Sequence, residues 1–256
     1  MSNPSPNAPV RLRNVRHRYA SGTLALDGLS LDIRPGEFVC LLGPSGCGKS
    51  TVLRLVAGLE APSGGTVECP GAGRTGYVFQ SPTLMPWATV ADNVALPLRL
   101  AGGGRLGAPD RRRRVEAALA RVGLDGFAGA WPAELSGGMQ MRASFARALA
   151  TEPALLLMDE PFGALDDITR QQLDDELLRL WQARPFTALF VTHNVAEAVC
   201  LGQRVVVMGP RPGRVVADLE LPAAPKRSPD FRHGPAFQAA CQKVAQALRQ
   251  AMAGPA

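Results

Sequence analysis

No apolar run in this 256-residue sequence approaches the roughly 18–20 residues needed to span a bilayer, so contact with a membrane is expected from one side or through a partner. The opening stretch MSNPSPNAPVRLR has no apolar h-region, which argues against a secretory signal. The five cysteines (Cys40, Cys47, Cys69, Cys200 and Cys241) include no CxxC pair. An odd, scattered set reads as free thiols in a reducing compartment rather than a disulfide framework. A cytoplasmic setting follows as the expectation. There is no internal repeat and no sustained heptad run. The formal net charge of +6 permits nucleic acid, an anionic membrane surface or a phosphate-rich ligand as partner, and selects none of them.

About 46% of the residues are apolar, enough for a substantial core. Short apolar runs read as strands: LSLDI, EFVCLLG, TGYVFQ, ALLLMDE, TALFVTH and RVVVMG. Several are continuous rather than alternating, as strands buried on both faces are. Helical patterns separate some of them, such as LDDITRQQLDDELLRLWQ with Leu173, Leu177, Leu180 and Trp181 on one stripe. The alternation argues for an α/β core. The stretch 89–150 has helical patterns and Gly/Pro breaks such as AGGGRLGAP, and reads as a helical subdomain inserted into a core of 8–88 and 151–225. Residues 226–256 read as a helical tail with Phe237, Cys241, Val244, Leu248 and Met252 at helical spacing, packing on its own domain or contacting another protein.

GPSGCGKS, Gly43 to Ser50, fits GxxxxGK[ST] between an apolar strand and a helical pattern, as a phosphate-binding loop requires. Its backbone N–H groups would point at phosphates. Lys49 would add charge at the β/γ-phosphates, and the Ser50 hydroxyl would meet Mg²⁺. ALLLMDE ends in Asp159 and Glu160, and two adjacent acids on a buried run are costly unless a cation or a proton transfer uses them. The first would face the metal through water, and the second would polarise an attacking water. His193 and Gln80 end two further strand runs, where α/β sheets bind ligands. LSGGMQ is a second glycine-rich stretch, set before the helical pattern QMRASFARALA, where helix N–H groups could meet an anion.

Together these motifs resemble the ATP-binding subunits of ABC transporters over about residues 11–220. The resemblance implies a P-loop NTPase core with an antiparallel β subdomain and a helical insertion. It implies ATP binding by Gly43, Pro44, Ser45, Gly46, Cys47, Gly48, Lys49, Ser50, Thr51 and Asp159, with Tyr19 matching the aromatic that stacks on adenine, unless Tyr19 is a packed core residue. Mg²⁺ would meet Ser50, Gln80 and, through water, Asp159. Glu160, His193 and Gln80 would serve hydrolysis. Ser136, Gly137, Gly138 and Gln140 would act in trans, closing over ATP held by a second copy in a head-to-tail dimer, with Asp166 in the D-loop Gly163–Asp166. Met141 before Arg142 departs from the glutamine or lysine common in the family and leaves the phosphate donors untouched.

The segment Gln80-Ser-Pro-Thr-Leu-Met-Pro-Trp87, with LSGGMQMR, DEPFGALDDITR and RVVVMGPRPGR, is similar to importers of the nitrate, sulfonate and taurine group. That similarity implies a permease partner at the cytoplasmic face of the bacterial inner membrane and, indirectly, an extracytoplasmic solute-binding protein, with no nucleic acid. Leu84, Met85, Pro86 and Trp87 would seat a permease helix, or form a turn around a buried tryptophan. Asp110 to Arg114 reads as a solvated helix face, or as a contact to anionic lipid. A soluble ABC ATPase of DNA repair or translation would bring a coiled coil or a second ATP-binding half. A P-loop kinase would lack LSGGMQ and the histidine after TALFVT.

Overall fold

A computed structural model of the chain describes residues 9–69, 75–100, 106–221 and 229–253. The expected boundaries at 8 and 225/226, and residues 101–105 of the Gly-rich break, lie outside the described residues. In chain order the elements are β1 (Val10–Arg18), β2 (Leu24–Ile33), β3 (Phe38–Leu42), α1 (Lys49–Val56), β4 (Gly64–Glu68), β5 (Thr75–Val78), α2 (Val90–Leu100), α3 (Ala108–Arg121), α4 (Gly137–Leu149), β6 (Leu155–Asp159), α5 (Asp167–Ala183), β7 (Thr187–Thr192), α6 (Val195–Leu201), β8 (Arg204–Met208), β9 (Val215–Glu220) and α7 (Pro235–Ala253). Among the described residues no helix is long and apolar enough to cross a membrane.

The chain divides into two compact units. The first is Met1–Ala72 with Pro185–Ala256, and the second is Gly73–Arg184. In the first unit β1 pairs antiparallel with both β2 and β4. Its inward residues Val10, Leu12, Val15 and His17 alternate until Asn14, where φ is 46°. The register shifts there, and the bulge returns Val15 to the buried face. Beside this sheet β7, β3 and β8 run parallel, and β9 closes antiparallel on β8. Every residue of FVCLL in β3 is buried, which explains why this strand reads as a continuous apolar run.

The α7 helix packs on α6, β8 and β9 of its own unit. Its buried line is Ala240, Val244, Ala247 and Ala251, so of the expected stripe Phe237, Cys241, Val244, Leu248 and Met252 only Val244 is buried. Met252 is 60% exposed. Small residues let a helix approach closely, so the alanines face the sheet. Phe237, Cys241 and Leu248 flank the contact, half-buried.

In the second unit β5 and β6 pair parallel, in company with α2, α3, α4 and α5. Residues 89–150 hold three of these helices and no strand among the described residues. The compact unit is wider than that insertion, because β5, β6 and α5 pack with the helices. On α5, Leu173, Leu177 and Leu178 are buried, while Leu180 and Trp181 are half-buried.

Candidate nucleotide site and partner surfaces

The phosphate loop joins β3 to α1. Gly46 and Gly48 have φ of 75° and 103°, a left-handed backbone that favours glycine. A Cβ at Gly48 would also meet Leu26 Cδ2 at 2.8 Å and the Ala25 carbonyl at 3.1 Å, so the loop can turn only where those glycines stand. Lys49, the first residue of α1, is 4% exposed. Its Nζ donates to the carbonyls of Gly43 (2.9 Å) and Pro44 (3.1 Å), curling over the loop's own backbone. A nearly buried ammonium at a helix start, inside a glycine turn, fits phosphate oxygens by charge and by donor geometry. Ser50 follows, half-buried, one residue into the helix. A single hydroxyl at this position suits an ion that keeps phosphate and water ligands, the usual habit of Mg²⁺.

Tyr19 is half-buried beside this loop. Its hydroxyl and Thr51 Oγ1 share a hydrogen bond of 2.7 Å, and its ring meets His17 edge-on at 4.8 Å. Both readings of Tyr19 are thus represented, since the ring is anchored by packing and remains partly open. Within the loop the Cys47 side chain takes no part in the phosphate-facing surface. At 1% exposure its thiol is turned inward, and a Cβ at Gly43 would lie 2.9 Å from its Sγ. Only its backbone can serve a phosphate, and its N–H donates to Pro44 O at 3.3 Å.

In the second unit Asp159 is the last residue of β6 and half-buried. Glu160 follows with φ of 44°, a strained value for a non-glycine that costs about 1–3 kcal/mol. The strained turn is pinned. Gly163 N–H donates to Glu160 O at 3.1 Å, and Arg170 reaches back to the carbonyls of Phe162 (3.3 Å) and Leu165 (2.7 Å). Asp166 accepts from Thr169 N–H at 3.0 Å and caps α5, and that bond holds its carboxyl below the ordinary carboxylate range. Sequence reasoning missed Arg170, although its i, i+3 spacing from Asp167 was a signal.

Ser136 is the N-cap of α4, and its Oγ accepts from Met139 N–H at 3.3 Å. Gly137 and Gly138 form the first turn, and a Cβ at Gly138 would press on Thr169 Cγ2 at 3.1 Å. Gln140 lies in the first turn of α4. Its side-chain amide donates to the Pro132 (3.0 Å) and Leu135 (3.3 Å) carbonyls, so it braces the approach to the helix. Gln80 lies in an exposed bend two residues beyond β5, and His193 is exposed one residue beyond β7, so neither belongs to its strand. The residues beside His193 are fixed. The Thr192 hydroxyl donates to the buried Glu197 carboxylate, Asn194 N–H donates to Thr192 Oγ1 at 2.9 Å, and Asn194 caps α6. The Asn194–Glu197 spacing is that of a capping box and could have been read from sequence.

Trp87 is 75% exposed, which rules out a buried-tryptophan turn. Leu84 and Met85 are half-buried and Pro86 is exposed. The turn is rigid because Asn93, fully buried, accepts from Met85 N–H (2.6 Å) and donates to the carbonyls of Met85, Ala88 and Thr89. Arg147 holds the Pro82 and Thr83 carbonyls at 2.9 and 2.7 Å, and its own burial lowers its pKa. Between α2 and α3 lies a cavity of about 420 Å³ with Ala95, Val115 and Leu119 on its wall and Arg99, Arg111 and Arg112 among its lining residues. Arg112 and Arg113 pair with Glu116 and Asp110 on their own helix, as on a solvated face.

A profile of the ABC transporter family matches residues 26–163. The taurine import ATP-binding protein TauB of Rhizobium johnstonii is 51% identical over 211 residues, 80% of this chain and 79% of that protein. An aliphatic sulfonates import ATP-binding protein SsuB of Mesorhizobium japonicum is 47% identical, over 84% of this chain and 80% of that protein. A solved ATP-binding cassette, dimeric and bound to ADP and Pi, superposes with a TM-score of 0.74 at 34% identity, covering 83% of this chain and 98% of its own. The chain belongs to the ABC transporter family, as an ATPase subunit with that family's ATP-binding cassette fold.

Proposed function

We propose that this chain powers import of a small solute of the taurine, sulfonate or nitrate kind through a partner permease. The observation that carries the ATP reading is Lys49, held almost out of solvent against the carbonyls of its own glycine loop. Gly43–Thr51 hold the phosphates of ATP, and Tyr19 packs at the adenine. Bound Mg²⁺ offsets charge on the phosphates, and Ser50, Gln80 and, through water, Asp159 are the residues that would hold it. Glu160 positions a water and takes its proton as that water attacks the γ-phosphorus. The bond to the β–γ bridging oxygen breaks, giving ADP and phosphate. His193 lies at the γ-phosphate end.

The second glycine-rich stretch has no lysine because it meets a phosphate already held by another subunit. Two copies face head to tail, and the N-terminus of α4, at Ser136, Gly137 and Gly138, closes over ATP on the partner copy. The dimeric state of a similar cassette supports this. D-loop residue Asp166 shapes that interface through its cap on α5. Import, as opposed to another ABC role, is supported by the taurine and sulfonate import roles of the relatives and by the stiff turn that presents Trp87. Such a turn suits a helix of a membrane subunit, with the α2/α3 cavity, lined by both apolar and charged residues, as further seating. The chain would then be peripheral at the cytoplasmic face of the inner membrane, and an extracytoplasmic binding protein would choose the solute. The test is ATPase activity of the chain reconstituted with its permease pair in liposomes. Stimulation by the loaded binding protein, lost in Trp87→Ala, is the expected result. Stimulation by DNA or ribosomes instead would overturn the import reading.

A further inference from the structure

The motif set assigns one cation, Lys49, to the phosphate loop. A second cation lies against the same loop. The turn between β8 and β9, MGPRPGRV, is wedged onto it. Gly213 N–H donates to Ala25 O at 2.8 Å, Asp27 N–H donates to Gly213 O at 3.3 Å, and a Cβ at Gly213 would overlap the Cys47 carbonyl. Gly209 N–H closes the turn on Arg214 O at 3.0 Å, and Arg214 pairs with Asp27. From this anchored turn the exposed Arg211 reaches over Gly46, its Nε donating to the Gly46 carbonyl at 3.1 Å.

We infer that Arg211 is a positioning residue for ATP: by holding the Gly46 carbonyl outward it fixes the direction of the Cys47 N–H inside the phosphate loop. This rests on the ATPase reading above. The warrant is peptide planarity. In a trans peptide the carbonyl of one residue and the N–H of the next point in opposite directions, so fixing one fixes the other. Here Gly46 O faces the guanidinium, while Cys47 N–H faces the Pro44 carbonyl, the same atom that Lys49 Nζ reaches at 3.1 Å. The Cys47 donor and the Lys49 ammonium thus converge on one point of the loop interior. Gly46, with φ of 75°, belongs to the residue type whose backbone turns most freely, so its carbonyl is the one most in need of an external hold. Without Arg211 the peptide between Gly46 and Cys47 can rotate, and ATP binding must reorder it.

The test uses the full chain with MgATP as probe. Arg211→Met keeps the stem and removes the donor. It should raise the Kd by calorimetry, and the KM for hydrolysis, about 3–10-fold, the net worth of one ordinary hydrogen bond, because the exposed guanidinium stays open to solvent. The kcat at saturation should stay within about two-fold, because the loop is ordered once ATP is bound. Arg211→Lys, which keeps a charged donor of similar reach, should recover at least half of the loss. The defect should persist at high salt, since a directed hydrogen bond survives screening that removes an exposed charge's field. Unchanged Kd in Arg211→Met, a defect that vanishes in high salt, or a fall in kcat with unchanged KM and a lowered Tm would each overturn the inference. Failure of the wild-type chain to bind MgATP would overturn the ATPase reading beneath it.

Discussion

Replacing Asn93 with alanine tests whether the Trp87 turn is preformed. Asn93 contacts four backbone groups, but two of them keep other partners. Met85 O still receives Ala88 N–H at 3.2 Å, and Thr89 O still receives the residue 93 N–H at 2.9 Å. Met85 N–H and Ala88 O lose their side-chain partner. At roughly 1–2 kcal/mol for each group left poorly satisfied, the change should destabilise this part of the fold by about 2–4 kcal/mol. Asn93→Asp should be worse, because it keeps the acceptor for Met85 N–H and sets an anion against carbonyls now 3.0–3.1 Å from the amide nitrogen. The assay is native-state hydrogen exchange at Met85, whose amide should exchange about 30-fold faster for each 2 kcal/mol lost. Permease stimulation should fall with it while basal hydrolysis persists. An unchanged Met85 exchange rate in Asn93→Ala would refute the argument that this side chain holds the turn.

Glu160→Gln should slow hydrolysis by about 10²–10⁴-fold, the usual worth of a general base, and should let an ATP-bound dimer accumulate on size exclusion; near-normal turnover would remove Glu160 from the mechanism. Lys49→Ala should weaken ATP binding, because a charged donor to phosphate is worth roughly 1.5–3 kcal/mol, and calorimetry showing unchanged affinity would contradict the phosphate loop. Cys47 is sealed in the native protein, so a bulky thiol reagent should label it only on unfolding, and fast native labelling without MgATP would show that the loop opens.

The parts of the site that were legible in the sequence are those where backbone chemistry leaves few alternatives. GPSGCGKS after a fully buried strand could form little else, and Gly46 and Gly48 hold the left-handed angles such a loop needs. Ser136 ahead of two glycines reads as a helix start and is one. What was not legible depends on which way a side chain turns once the chain has closed. Cys47 lies in the loop by sequence and out of it by orientation. Gln140 has the composition of a ligand donor, and in the single chain its amide nitrogen also braces two carbonyls of its own approach segment, which no motif announces. The tail's large residues suggested the buried stripe, yet the alanines beside them come closer to the sheet because they are small. Arg211 lies 165 residues from Gly46, in a turn with no phosphate-binding motif. Trp87 was ambiguous because burial of one aromatic depends on Asn93 and Arg147 holding the loop around it.

The central claim is that ATP is shared between two copies, phosphate loop from one and signature from the other. It is tested most directly by mixing two inactive variants, Lys49→Ala and Ser136→Arg, and measuring nucleotide trapped per dimer. A bulky cation at Ser136 obstructs the first turn of α4. In a mixed dimer one composite site receives both defects and the other receives neither. The account predicts protected nucleotide at one site per mixed dimer, with each variant alone trapping none. Mixed dimers that form, as seen by tag-specific pull-down, and trap no nucleotide would contradict it.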